Sequence, residues 1–244
     1  MHRLTTAGIS DAEIIQAYQV EDRSVPHLRC NFVTSLDGAV EIDGQSKSLT
    51  NPEDSELFGK LRMLSDVVLA GAGTVRIEGY NGLRLGSDRR AWRKANGLAE
   101  NPTLAIVSSR LDLDPINKVF ADAPVRPLVI THAAAPPERV EALGEVAEVL
   151  VCGEAEVDLQ AVVSTLAERG LPQILCEGGP HLLGALTEAD LVDEMDLSLS
   201  PLLVGPGAGR ITAGAVDTVA RRFVLRSVLG ADDGSLFLRY LRAS

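Results

Sequence analysis

The stretch Gln173-Ile174-Leu175-Cys176-Glu177-Gly178-Gly179-Pro180-His181-Leu182 decides how this chain folds. Its first four residues make an apolar run of strand length, too short for a helix. Pro180 presets φ for the first turn of a helix read over His181–Ala189. Between the two, Gly178 and Gly179 free the backbone N–H groups to face an anion such as a pyrophosphate. A strand that passes into a helix through glycines is a unit of a mostly parallel sheet, and open sheets of that kind bind ligands at this junction. Glu177 stands at the strand's tip. A carboxylate there is suited to accept hydrogen bonds from substrate amide or amino groups.

Working outward, the same alternation repeats. Strands are expected at Leu28–Ser35, Val67–Ala70, Thr103–Val107, Pro127–Thr131 and Glu148–Cys152. Asn51 caps a helix with Pro52 at its first position, and Leu57, Phe58, Leu61 and Leu64 form its apolar stripe. Asp158 opens another, which carries Leu159, Val162, Val163 and Leu166 and closes at Arg169-Gly170. Glu194–Ser200 alternates Met195, Leu197 and Leu199 with Asp196, Ser198 and Ser200, as a half-buried strand does. Phe223–Leu229 and Leu236–Leu241 flank the turn Asp232-Asp233-Gly234-Ser235 and read as a terminal hairpin. Before all of these, Ser10-Asp11-Ala12-Glu13 is a capping box for a helix reaching about Val20.

The expected fold class is therefore α/β: a single three-layer domain, mostly parallel mixed sheet, helices on both faces and a C-terminal antiparallel hairpin. Residues 1–27 form an N-terminal extension with a short helix, and 28–244 form the main domain. Gly79–Asn101 is long for a loop and carries Arg84, Arg89, Arg90, Arg93 and Lys94. It reads as a solvated surface segment or as a loop over substrate.

Composition narrows the function. The chain of 244 residues is 45% hydrophobic but only 4% aromatic, so aliphatic side chains must fill the core. A net charge of −11 argues against nucleic acid and anionic membranes as partners. Cys30, Cys152 and Cys176 lie in or beside apolar runs and read as buried, reduced thiols in a cytoplasmic protein. No metal-ligand spacing and no membrane-length apolar run occurs.

Three further motifs follow strands. Ser35-Leu36-Asp37-Gly38 is a turn that sets Asp37 at a ligand-binding strand end. In Gly71-Ala72-Gly73-Thr74, Gly71 and Gly73 allow a phosphate to approach the backbone and Thr74 can donate to it; Arg76 stands where a dinucleotide fingerprint needs glycine. Ser108-Ser109-Arg110 offers two hydroxyls and a guanidinium to a monophosphate, a grip suited to the 2′-phosphate of NADPH.

The order of these four motifs, from about Leu28 to Leu241, resembles the pyrimidine reductase family of riboflavin biosynthesis, the C-terminal domain of bifunctional deaminase-reductases. Supporting matches are Ser46, Thr50, Arg62, Glu78, Leu191-Val192-Asp193-Glu194, Pro201 and Gly205. The resemblance implies a dihydrofolate-reductase-like fold and makes 28–244 a reductase domain. It implies NADPH contacts at Val33, Ser48, Thr74, Glu78, Ser109, Gly179, Pro180, His181, Leu182, Leu183, Gly184 and Ala185, with Arg110, Gly71, Gly73 and Gly178 added by the motif readings above. Ser46, Arg62, Arg84 and Glu177 would contact a small phosphorylated pyrimidine, with Arg62 on its phosphate, Glu177 orienting the base and Asp37 near the reacting sugar.

The implied reaction reduces 5-amino-6-(5-phosphoribosylamino)uracil to its ribitylamino product by hydride transfer to the sugar C1′. The H-x-E and P-C-x-x-C pair of a zinc deaminase does not occur, so a stand-alone reductase is expected. The alternatives are a same-fold NADPH reductase of a pterin or dihydrofolate, and a non-catalytic nucleotide-binding protein. A homodimer is expected, since the sheet leaves edges and the first helix has an apolar side of Ile14, Ile15 and Tyr18.

Overall fold

The computed structural model describes residues 8–214 and 219–243; the first seven residues of the expected N-terminal extension lie outside them. Nine strands form one sheet: β1 (His27–Thr34), β2 (Val67–Gly71), β3 (Thr103–Val107), β4 (Leu128–Thr131), β5 (Glu148–Val151), β6 (Gln173–Cys176), β7 (Glu194–Leu199), β8 (Phe223–Gly230) and β9 (Leu236–Arg242). Their order is β5-β4-β3-β2-β6-β1-β7-β9-β8. The first seven in that order run parallel, and β9 pairs antiparallel with both β7 and β8. The expected fold class holds, C-terminal hairpin included.

The helices are α1 (Asp11–Tyr18), α2 (Pro52–Leu64), α3 (Ala72–Ile77), α4 (Ser87–Ala95), α5 (Lys118–Ala121), α6 (Pro137–Gly144), α7 (Leu159–Glu168) and α8 (Pro180–Glu188). Successive strand residues point to opposite faces, so both faces of β2 carry core. Val68 and Ala70 join Leu57, Leu61, Ile106 and Val129 beneath α2, whereas Val67 and Leu69 join Val162, Leu166, Leu183 and Leu186 beneath α7 and α8. Each such fully buried leucine contributes about 1.5 to 3 kcal/mol relative to exposure. The three layers follow from that two-sided pattern.

Three local outcomes differ from expectation or refine it. Ser10 and Glu13 close the capping box of α1, but its apolar side is not free: Tyr18 is buried, and Ile14 and Ile15 pack on the core. That side is therefore largely spent within the chain, with Ile14 and Ile15 half-buried. Residues 87–95, read as part of a solvated surface loop or helix, form α4, but its Arg93 is buried, donating to the carbonyls of Met63, Ser65 and Ala99. A guanidinium capping the end of α2 has no signature in its own neighbourhood. On β7 the alternation is inverted: Glu194, Asp196 and Ser198 are buried, while Met195, Leu197 and Leu199 are half-buried. The polar face turns inward because β1 and β9 supply Arg29 and Arg239 opposite it.

Candidate active site

β6 enters the sheet between β2 and β1, and the tips of these three strands border one cleft. It holds about 560 Å³ and is lined from β1 by Asn31, Phe32 and Val33, from α2 by Asp54, Phe58 and Arg62, and from residues 74–84 by Thr74, Glu78, Tyr80 and Arg84. Such a volume suits a small-molecule site.

Glu177 ends β6 inside this cleft. Arg62 grips it with two parallel bonds, Nε to Oε1 at 2.6 Å and Nη2 to Oε2 at 2.7 Å, and the Tyr80 hydroxyl donates to Oε2 at 2.6 Å. The guanidinium stacks over Phe58, 4.2 Å from its ring centre. Burial works against the Arg62 charge, but Glu177 outweighs it and holds the guanidinium pKa above its ordinary value. Burial, reinforced by the Glu177 charge, pushes the Tyr80 hydroxyl well up. Arg62 therefore stays charged and Tyr80 keeps its proton, and together they hold the Glu177 carboxylate as a preset unit. Oε2 accepts two bonds and Oε1 one, so Oε1 keeps acceptor capacity for a ligand donor.

Asp54 is a further carboxyl on the wall. Asn51 caps α2 by accepting from the Asp54 N–H at 2.7 Å, and its side-chain amide donates to Asp233 and Ser235 in the β8–β9 turn. The Ser198 hydroxyl donates to Oδ1 of Asp54. Burial raises the Asp54 pKa, and the bond from Ser198 only partly opposes this.

The glycine turn packs on the end of β2. Gly71 N–H donates to the Gly178 carbonyl at 2.7 Å, and the Gly178–Gly179 peptide is cis. Gly178 has φ of +96°, and a Cβ there would press on the Phe32 ring at 3.2 Å. A Cβ on Gly179 would lie 2.6 Å from the Thr74 hydroxyl. Bare backbone and a hydroxyl thus face each other with no side chain between them, a cradle fitted to a phosphate group.

Of the residues singled out in the sequence, Val33, Ser46, Arg62, Thr74, Glu78, Arg84, Glu177, Gly179 and Pro180 come together around the cleft. Gly71 and Gly178 support it from behind, and Gly73 lies beside them in α3. Ser48 is exposed on the short helical turn Ser46–Leu49 and does not line the cleft. Ser109 and Arg110 are exposed beyond β3, one strand further along the sheet from β2. His181 and Ala185 are exposed on α8, whereas the Leu182 and Leu183 side chains belong to the core. Gly184 has a packing reason of its own, since a Cβ there would lie 2.1 Å from the Ala213 carbonyl oxygen.

Asp37 does not line the cleft. It accepts from the Ser35 hydroxyl and from the N–H groups of Val204 and Gly205, which lower its pKa to about 2. It latches the end of β1 to the 200–207 segment. Arg62, expected on a phosphate, spends its Nε–Nη2 edge on Glu177 instead. Sequence reasoning missed Tyr80 and Asp54. The first sits in an aperiodic stretch; the second is an acid in the first turn of a capped helix, a place where acids need no function.

A glycine turn between strand and helix thus meets a preset carboxylate at one cleft of a mostly parallel sheet. Residues 26–235 match the RibD C-terminal domain family, and the chain belongs to that family. It is an oxidoreductase of this group of NAD(P)H-dependent reductases. It is 30% identical over 181 residues to the 2,5-diamino-6-ribosylamino-4(3H)-pyrimidinone 5′-phosphate reductase of Archaeoglobus fulgidus, covering 74% of this chain and 82% of that one. The reductase of the same name from Methanothermobacter thermautotrophicus is 31% identical, with 74% and 80% covered. Among solved structures, a pyrimidine reductase-like protein from Corynebacterium diphtheriae superposes with a TM-score of 0.82 at 28% identity, covering 90% of this chain and 92% of that one.

Proposed function

We propose that this chain reduces 5-amino-6-(5-phosphoribosylamino)uracil to its ribitylamino product with NADPH. The carrying observation is Glu177, held rigid by Arg62 and Tyr80 on the wall of the cleft and beside the glycine cradle. A preset carboxylate with spare acceptor capacity orients a pyrimidine through its N–H groups.

The cofactor rests on the chain's own fit. Thr74 and the 178–179 backbone would hold its pyrophosphate, with Glu78 nearby on the wall. Ser109 and Arg110 would take the 2′-phosphate. Arg76 and Arg139 converge on Asp112 just beyond them, which makes that segment locally cationic in an acidic chain. When bound, NADPH supplies the hydride that the C1′ of the ring-opened sugar accepts. Asp54, which burial biases toward its protonated form, would give a proton to the adjoining nitrogen, with Ser198 bonded to its Oδ1.

A second reading keeps the site and changes the base. The archaeal relatives are named for a 2,5-diaminopyrimidinone phosphate. Such a base carries an amino donor beside its ring N–H, so it brings one more donor to the open side of Glu177 Oε1 than a uracil does. The test is NADPH oxidation with each base in turn, followed by mass analysis. A product heavier by two hydrogens with the uracil supports the first reading, and preference for the diamino compound supports the second. No turnover with either would overturn both.

The reading includes a homodimer. Its apolar candidate surface is the edge strand β8, where Val224 and Leu225 are exposed. Light scattering is expected to give about twice 25.9 kDa, and a monomer mass would remove this part.

A further inference from the structure

Asn51, the cap of α2, makes more bonds than a cap needs. Its side-chain oxygen accepts from the Asp54 N–H at 2.7 Å, while its amide nitrogen donates to Oδ2 of Asp233 at 2.8 Å and to the Ser235 hydroxyl at 3.1 Å. Serine or aspartate would close the end of the helix equally well. An amide is needed to accept at the cap and also offer two donors on its other side, and an aspartate there would face the Asp233 carboxylate. The Asn51 amide and the Ser235 N–H hold the Asp233 carboxyl below its ordinary pKa. The turn that receives these bonds is itself fixed. Gly234 takes φ of +92°, and a Cβ on it would stand 3.7 Å from Pro201, just past β7.

We propose that Asn51 is a positioning residue for the reduction: by joining the first turn of α2 to the β8–β9 turn, it sets where the Asp54 carboxyl stands in the cleft. The proposal rests on the reading of Asp54 as the proton donor. Three features carry it. α2 presents Asp54, Phe58 and Arg62 to the cleft on successive turns, and Glu177 pins the Arg62 end, so the first turn is the end still to be fixed. The same hairpin reaches Asp54 by a second route, because Ser198, which donates to Asp54, pairs with Phe237 on β9, just past Ser235. And the turn that Asn51 anchors faces the ligand, since Thr50, Asp54 and Ser55 all line the cleft. A displacement of about 1 Å in a reacting group can cost about a hundredfold in rate, so a clamp outside the cleft can govern the chemistry inside it.

The experiment uses the full chain and two variants that cut the link from opposite ends. Asn51→Ser keeps a capping oxygen and loses the donors to the turn. Asp233→Ala leaves Asn51 intact and removes an exposed side chain, so the core is untouched. Each is expected to lower kcat about tenfold, with pyrimidine KM and NADPH affinity within about twofold of wild type. The double variant is expected to be no slower than the slower single one, and Asn51→Ser is expected to add almost nothing to Asp54→Asn. Amide hydrogen exchange, which needs no substrate, is expected to be faster at Asp54 and Ser55 in Asp233→Ala, although their acceptors on Asn51 are unchanged. Wild-type kcat in both variants, even with a lower Tm, or unchanged exchange at Asp54 and Ser55, would make Asn51 a helix cap only and overturn the proposal. If Asp54→Asn turns over at the wild-type rate while Asn51→Ser and Asp233→Ala are slow, the acid reading fails and the link stands as positioning of the cleft wall.

Discussion

Glu177 and Glu194 are both buried carboxylates held by arginine, one at the tip of β6 and the other at the start of β7. Glu177 takes Arg62 and Tyr80, and the Arg62 side chain remains 24% exposed at the cleft. Glu194 takes Arg29, Arg239 and His27, and its own exposure is 0%, with 5% and 7% for the two arginines. Those arginines also donate to the Tyr18 and Ala17 carbonyls, so the sealed cluster ties α1 to the sheet. Asp196 lies beside it with both oxygens lacking a hydrogen-bond partner among the described residues, and burial pushes its pKa well up. The same chemistry therefore divides by access. Where the ion pair borders a cavity it presents acceptors to a ligand; where it is sealed it only joins elements.

The largest expected effect breaks the sealed site. Glu194→Gln leaves two guanidinium groups buried with their shared partner neutralised, at a cost of about 3 to 5 kcal/mol. Calorimetry is expected to show Tm lower by roughly 10 °C. The acid dependence sharpens the point. Burial raises the Glu194 pKa, but Arg29, His27 and Arg239 lower it more, to well below its ordinary 4.5. Its contribution is fully present above about pH 4.5 and is lost as pH falls toward the folded-state pKa. The variant is expected to lose that part of the acid-induced drop in Tm.

On the open side, Asp54→Asn removes the proposed acid and is expected to lower kcat by about a hundredfold or more, with NADPH binding retained. Because burial raises the Asp54 pKa, its protonated form declines as pH rises through the folded-state value, and kcat of wild type falls with it. A variant that keeps the same rate and pH slope would remove Asp54 from the reaction.

Gly179→Ala comes next. Its Cβ would meet the Thr74 hydroxyl at 2.6 Å and fill the cradle. NADPH affinity is expected to fall at least tenfold, about 1.4 kcal/mol, which titration by fluorescence measures. Unchanged affinity would move the cofactor away from this turn. The smallest effect is that of Tyr80→Phe. Arg62 still satisfies the Glu177 oxygen that loses the hydroxyl, so the stability cost is only about 1 kcal/mol. KM for the pyrimidine is expected to rise a few-fold as the carboxylate loosens.

Much of the fold is legible along the chain because its signals are local. The run 173–182 carries its own strand, turn and helix, and the two-sided apolar strands announce a sheet covered on both faces. The site is legible only where a motif is also local, as at Gly71–Thr74 and Glu177–Pro180. Its partners are not. Arg62 meets Glu177 across 115 positions and Tyr80 meets it across 97, and nothing near Arg62 distinguishes a pairing with carboxylate from one with phosphate. The inward polar face of β7 escapes for the same reason, since Arg29 lies 165 positions from Glu194. Asp37 misleads in the opposite way: its motif is a turn signal, and the turn is what it builds.

The most direct test of the open-versus-sealed account is Glu177→Gln, measured for pyrimidine KM and for the Tm shift induced by NADPH. The account predicts a KM higher by a hundredfold or so, about 2.7 kcal/mol of lost orientation, with the cofactor-induced shift close to that of wild type. A variant that loses several degrees of Tm but turns over the pyrimidine with unchanged KM would place Glu177 with Glu194, as a structural ion pair and nothing more.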